Sequence, residues 1–469
     1  MKGFVALLLT LLLMLGVLAS CGEQPQEQPV STDVQGSQSE EPATEPGTEP
    51  ATEPTSESET EQPPATEEPV TSKNETEYVA PEDGSFTICG TPLSEYSFVL
   101  FFPTTPDYQR MSRKQILKGL TDPLASATGL EVEFTVAKNE RYDTTPVSEH
   151  EILFGSNFRR EGVPEVQPKN YYGVTADGTV YFHAISPVLY HYLWECFLEE
   201  FFGVAPGSSE ASAGCAISEC YREIPVLTDE VLKAKGYTQI LDEQFDGDAL
   251  NLDIWEYRGS GGRRGGYNAA SQVTVSDGIL SLTGEYRTDG EYGEGWYGAM
   301  ISLKQWYTRG FFEANIKSSL NGGRGVGDFW SAFWIQGPSP YNPDLSQGGI
   351  GDGGTEIDIM ENFGPSLTTC CVWVSGYEGN TGLDNDLCEV HHLYDDYAEA
   401  FHTYALLWDE EVYEFYVDGI LIQRTSFGYG TSHVDEQLIL SLELSDGFDI
   451  DQTEKRIMEV DYVKIWQKN

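Results

Sequence analysis

From about residue 237 to the end, apolar and polar residues alternate in short runs: GILSLTG (278–284), GAMISLK (298–304), FFEANIK (311–317), YALLWD (404–409), YEFYVDG (413–419), LILSLEL (438–444) and VDYVKIW (460–466). A period of two marks a strand with one face on a core. Gly-rich or Asp-Gly turns separate the runs, and YVDGIL carries a hairpin signal. Many short strands with few helices predict a mainly β chain folded as a β-sandwich.

Between about 84 and 225 the pattern is mixed α/β. SEYSFVLFF, EILFG and TVYFHAI read as strands, and LEVEFTV as an alternating strand. MSRKQILKGLTDPLASATG predicts a helix ending at Gly129, and VLYHYLWECFLEEFFG an amphipathic helix that stops at Gly203. Residues 225–236, PVLTDEVLKAKG, read as a connector. His183, His191 and Cys196 are scattered here and read as packing or surface residues.

Within the sandwich, TEIDIMENFG (355–364) places three carboxylates in six positions. In a strand, Glu356 and Asp358 share a face while Ile357 and Ile359 fill the core side. Strict alternation would bury Glu361 unpaired, which is costly. A β-bulge at Ile359 or Met360 shifts the register by one and returns Glu361 to the face of the other two acids. Such a row suits glycosidic cleavage, which needs one ionised carboxylate and one carboxylic acid about the anomeric carbon, separated by about 5 Å for retention. Asp358 between them raises a neighbour's pKa by like-charge repulsion. An acidic strand edge or a cation site is the bland alternative.

EIDIME resembles the signature of glycoside hydrolase family 16 in its bulged form, found in laminarinases, agarases and their relatives. RGFFEANIKSS (309–319), GDFWSAFWIQG (327–337), FHTYALLWDEEVYEFYVDGILI (401–422) and MEVDYVKIWQ (458–467) are similar to further strands of that family, in the same order, over residues 237–469. The resemblance implies a jelly roll of the concanavalin-like kind. It implies a retaining glycosidase acting on internal β-linkages of a glucan or galactan, such as β-1,3-glucan. Glu356 would be the nucleophile, Glu361 the general acid/base, and Asp358 the group that tunes and orients the nucleophile. Trp330 and Trp334 would be sugar platforms, since an indole face stacks on a pyranose. Their spacing of four is equally natural for core packing. Trp373 and Tyr377, in CCVWVSGYEG, and Glu443, in LSLELSDGF, stand at subsite positions where the sequence departs from the family's pattern, which puts laminarin specificity in doubt. The chemistry requires no cofactor. A structural calcium site is implied at Glu243, Asp461 and the Gly278 carbonyl, oxygen donors of the kind hard cations favour. The 84–225 module resembles the accessory α/β domain of chitobiases and α-glucuronidases, on EILFGS and the FLEEFFG helix end. Two alternatives are a noncatalytic surface carbohydrate-binding protein and an envelope-remodelling transglycosylase.

Composition adds the setting. The chain opens with MKGFVALLLTLLLMLGVLASC, a secretory leader ending in a lipobox-like Leu18-Ala19-Ser20-Cys21, which predicts residues 1–21 as a lipoprotein signal with Cys21 lipidated. Residues 22–80 are rich in Pro, Glu, Thr and Ser and predict a disordered linker. That linker holds 15 acids against one Lys; subtracting its −14 from the formal −49 leaves −35 on the rest. Nucleic acid is excluded as a partner by this charge, because phosphate binding wants a basic patch. The expectation is a monomeric, exported bacterial cell-surface lipoprotein that meets a polysaccharide and touches the membrane only through its lipid. Eight cysteines in an exported chain invite disulfides. Cys215 with Cys220, and Cys370 or Cys371 with Cys388, are the candidate pairs.

Overall fold

The computed structural model describes residues 87–101, 133–137, 147–155, 160–164, 167–186, 189–203, 219–319, 328–338, 352–364, 367–373, 389–391, 393–426, 430–445 and 450–468. The alternating runs become strands of one 17-stranded ladder. It folds into two layers at Gly295–Leu303, whose first residues pair with Ile279–Arg287 and whose last pair with Gln437–Leu444. The layer bearing the acids runs Trp255–Tyr257, Gly295–Leu303, Gln437–Leu444, Phe329–Gln336, Glu356–Gly364, Leu367–Trp373, Glu389–His391. In the second layer, Ile420–Thr425, Tyr413–Val417, His402–Trp408 and Gly310–Lys317 lead to the long strand Lys455–Lys468. The far edge of that strand is shared end to end by Ile279–Arg287 and Tyr237–Glu243.

One core fills the space between the layers, with Trp255, Phe312, Phe333, Ile357, Leu406, Trp408, Leu440 and Val463 at 0–1% exposure. The second layer is apolar on its outer face as well. Phe311, Leu407, Tyr416, Leu421 and Trp466 point away from that core into a second one, which continues through Leu232 to Trp194 and Phe197 of the α/β module. Strands buried on both faces explain why YALLW and FYV read as near-continuous apolar runs.

The module's sheet runs Phe134–Ala137, Ser97–Phe101, Glu151–Phe154, Val180–His183, Tyr171–Val174, Cys220–Glu223, the first four strands parallel. The helix Tyr190–Phe202 ends as expected at Gly203, whose φ of 63° suits glycine and whose N–H reaches Glu199 O. The helix expected over 111–129 lies outside the described residues.

Three sequence expectations change here. The stretch 225–236 is more than a connector: Thr228 caps a helix at Asp229–Ala234, and Leu232 is buried between the domains. Tyr171–Val174 is a strand that period-two reading misses, because all four of its residues are buried. Cys220 carries a free thiol and so does not close a loop with Cys215. The module is fastened by Leu227 N–H to Gly419 O (2.8 Å), Asn170 Nδ2 to Leu421 O (2.8 Å), and Arg424 over the Tyr192 ring at 4.8 Å.

Candidate active site

The acid-bearing strand pairs with Phe329–Gln336 in two registers. Gln336, Ile335 and Trp334 face Glu356, Ile357 and Asp358, whereas Phe333 and Ala332 face Met360 and Glu361. Ile359 is the extra residue, one of the two positions expected for the bulge. Ile357, Ile359 and Met360 all enter the core, at 0%, 3% and 0% exposure. Asp358 and Glu361 consequently point the same way, and their carboxylate oxygens and the Cys371 sulfur lie within 4.8 Å of one another. Asp358 is buried; Glu356 and Glu361 are partly exposed.

This group is the one convergence of metal-binding residue types among the described residues. Cys371, however, is disulfide-bonded and offers no thiolate, which leaves two carboxylates without a third ligand. The disulfide meets the expectation that one of Cys370 and Cys371 is paired, and the Cys370 thiol donates to Gln423 Oε1 at 2.6 Å. Its expected partner Cys388 lies outside the described residues.

The ladder register sets which residues stand across from each acid. Glu356 is opposite Gln336 and Trp373, Asp358 opposite Trp334 and Cys371, and Glu361 opposite Ala332 and Thr369. Gln336 Nε2 donates to Glu356 Oε2 at 2.9 Å. Trp330, Ala332 and Trp334 join Met300 and Ile439 in a small apolar cluster separate from the main core. Trp334 Nε1 donates to Ser441 Oγ at 3.2 Å. Trp330 is covered by the Arg264 guanidinium, 4.9 Å from its ring centre.

Glu443, opposite Trp330, is held by Arg263 through both carboxylate oxygens and by Asn268 Nδ2 at 3.4 Å. Arg264 projects from a hairpin turn with φ of 50°, an uncommon conformation for a long side chain. A cavity of about 680 Å³ opens beside it, lined by Arg263, Arg264, Tyr267, Tyr286, Glu294 and Trp296 among others, and by none of the three acids. The sequence reading missed Gln336, Arg263, Arg264 and Asn268, which a strand pattern alone does not bring to the acids. Tyr377 lies outside the described residues.

The strand's start is fixed by a fourth acid. Thr355 N–H and Oγ1–H both donate to the Glu436 carboxylate, at 2.7 and 2.9 Å, and Thr355 O accepts from Gly337 N–H at 2.7 Å. Glu436 is 1% exposed. Burial pushes its carboxyl up to about 7, against the opposing hydrogen bonds of Ser432 and Thr355.

For the calcium site, Glu243 pairs with Val463, two residues from Asp461, and Leu280 pairs with Val460. Gly278 packs near the Gln244 carbonyl. Gly278 thus lies just before one of the two edge strands that share the long strand bearing Asp461, and Glu243 ends the other. Glu243 accepts from Phe245 N–H (2.8 Å) and Trp255 Nε1–H (3.1 Å), and Asp461 from Asn315 Nδ2 (3.0 Å). The donors are of the right type for a hard cation.

Three carboxylates thus share one strand face of a two-layered β-sandwich. Residues 266–462 match the model of glycosyl hydrolases family 16. A beta-glucanase of Acetivibrio thermocellus is 34% identical over 156 residues, covering 33% of this chain and 40% of that protein. An endo-1,3-1,4-beta-glycanase of Rhizobium meliloti is 27% identical over 165 residues, 33% of this chain and 30% of its own. Among solved structures, the laminarinase catalytic domain of Thermotoga maritima shows a TM-score of 0.40 at 20% identity, covering 50% of this chain and 99% of that one. The chain spans about 40% of the length of the beta-glucanase it matches. The acid-bearing strand lies inside the segment that matches glycosyl hydrolases family 16.

Proposed function

We propose that the protein is an endo-acting glycosidase that hydrolyses a β-linked glucan with retention, held at the cell surface through lipid on Cys21. The observation that carries this reading is the bulge at Ile359, which puts Glu356, Asp358 and Glu361 on one face inside the matched segment. Glu356, oriented by the Gln336 N–H, attacks the anomeric carbon while Glu361 gives its proton to the departing oxygen. Glu361 then takes a proton from water, which attacks the same carbon and frees Glu356. Asp358 lies within 4.8 Å of Glu361, where like-charge repulsion favours a proton shared between them. Trp330 and Trp334, 5% and 7% exposed and Trp330 under Arg264, keep little indole surface for a sugar, and Glu443 with its arginines shapes a subsite.

A calcium ion at Glu243, Gly278 and Asp461 would serve stability and take no part in the reaction. A rise in melting temperature on adding Ca²⁺ to chelator-treated protein tests it.

Digestion of a β-glucan panel with the mature chain tests the function, with product anomers read by NMR. Release of oligosaccharides with β-configuration, lost in Glu356→Gln, is the expected result. An inert wild type, or α-configured first products, would overturn it.

A further inference from the structure

Gln336 is an ambivalent neighbour for a nucleophile. Its amide has nearly the same shape either way round, but one orientation gives Glu356 an N–H donor and the other sets a carbonyl oxygen against the carboxylate. Something must select the polarity. Arg258 does so by chemistry alone: its NH2 group donates to Gln336 Oε1, and a guanidinium has no acceptor to offer. The oxygen of Gln336 must face Arg258, and Nε2 must therefore face Glu356 Oε2, 2.9 Å away.

Arg258 is itself well anchored. Its backbone N–H reaches Met300 O at 3.0 Å, directly after the edge strand Trp255–Tyr257. Its second arm, NH1, donates to Gln437 Oε1. Gln437 is the register partner of Gln336 on the next strand, so two adjacent glutamines turn their carbonyl oxygens to one guanidinium. The polarity of Gln437 is fixed in the same way, and its Nε2 donates to Glu256 Oε1 and Leu303 O, both at 2.8 Å. Ser302 Oγ completes the row on Glu256 Oε1 at 3.3 Å. A line of polar side chains thus crosses the acid-bearing layer from Glu256 at its edge to Glu356.

We propose that Arg258 is a positioning residue for the reaction: by holding the Gln336 oxygen it makes Gln336 an obligate N–H donor to Glu356 and fixes the rotation of the nucleophile's carboxylate. This rests on the reading of Glu356 as nucleophile. The alternative is a strand clamp, in which Arg258 and Gln437 only hold the edge strand to the layer. A clamp would change stability without acting through Gln336.

The test is a double-mutant cycle in the mature chain on a soluble β-glucan, with Arg258→Met, Gln336→Met and the pair, alongside wild type and Glu356→Gln. Each single variant should lose about 10- to 100-fold in kcat, the scale of a misoriented reacting group, with little change in KM. The pair should be no worse than Gln336→Met, since Arg258 acts through that amide. Guanidinium at millimolar concentration should restore turnover to Arg258→Ala and not to Gln336→Met. Losses that multiply in the pair, or that fall in KM alone, overturn the proposal. Should Arg258→Met not fold, the near-isosteric Gln336→Glu decides: it keeps an oxygen for Arg258 but removes the N–H, so wild-type kcat in that variant also overturns it. If wild type is inert or Glu356→Gln retains full activity, the fault lies with the nucleophile assignment instead.

Discussion

Asp358 and Glu361 stand three residues apart in one strand, an odd spacing that regular pleating sends to opposite faces, yet their carboxylate oxygens come within 4.8 Å. The single unpaired residue between them in the ladder, Ile359, reverses the side on which everything after it falls. Deleting Ile359 leaves Met360 as the one core residue between Asp358 and Glu361, so regular alternation keeps Glu361 on the acids' face with no bulge. Activity should then stay within about 10-fold of wild type, whereas Glu361→Gln should lose about 10²- to 10⁴-fold, and no carboxylate should enter the core. Kinetics and thermal unfolding of the deletion variant check this. A deletion variant as inactive as Glu361→Gln would contradict this account of the bulge.

Glu436 gives the fold a pH signature. Its carboxyl is pushed up to about 7 by burial, from an ordinary value of 4.5. Between those values the folded chain holds a proton that the unfolded chain has lost, so stability falls as pH climbs from 4.5 to 7 and then levels. Glu436→Gln keeps an oxygen for Thr355 and removes the titration. The variant should gain on the parent across that window and be the more stable at pH 8. Urea titrations of both at several pH values measure the difference; one that is constant with pH contradicts the assignment.

His402 contributes a slope of the same sign, and its partner Asp418 the opposite one. Burial works against its charge, but hydrogen bonds and charge from Asp418, at 2.8 Å, and Asp396, at 3.2 Å, outweigh it and raise its pKa. Asp418 is lowered despite burial, by His402 and by Thr403 N–H. The imidazolium's stabilisation is complete below its unfolded pKa and disappears as pH rises through the raised folded value. The Asp418 contribution is present above the ordinary carboxylate range and lost as pH falls through the lowered one. Asp418→Asn keeps the turn, whose φ is 50°, and removes the charge. It should cost about 1 kcal/mol near pH 5.5 and less at pH 8, allowing for partial exposure. Equal costs at both pH values would count against the ion pair.

The shared core between module and sandwich predicts cooperative unfolding. Trp466 is 2% exposed, packs in the core that holds Trp194, and lies under Lys233 at 5.7 Å. Trp466→Ala should cost about 3–5 kcal/mol. Calorimetry of the parent should show one transition for residues 87–468, and two well-separated transitions would show that the module folds on its own.

Much of the acid-bearing domain is legible in the sequence because its warrants are local. Alternation within a run fixes which residues share a face, and the cost of burying Glu361 demands a slip within two residues of where it occurs. Gly203 ends its helix for an equally local reason. What escapes is set by register between strands remote in sequence. Arg258 reaches Gln336 across 78 positions and Thr355 reaches Glu436 across 81. Neither pairing follows from any single run. Glu443 stands out in LSLELSDGF as an acid in an apolar run, but the arginines that hold it arrive from a hairpin 180 positions earlier.

Covalent labelling of the nucleophile tests the account most directly. An activated 2-deoxy-2-fluoro-β-glucosyl or laminaribiosyl donor should arrest turnover at the glycosyl-enzyme, and mass spectrometry of the digested protein should place one sugar on the peptide's Glu356. Label on another carboxylate, or turnover of β-glucan with no covalent species, would contradict it.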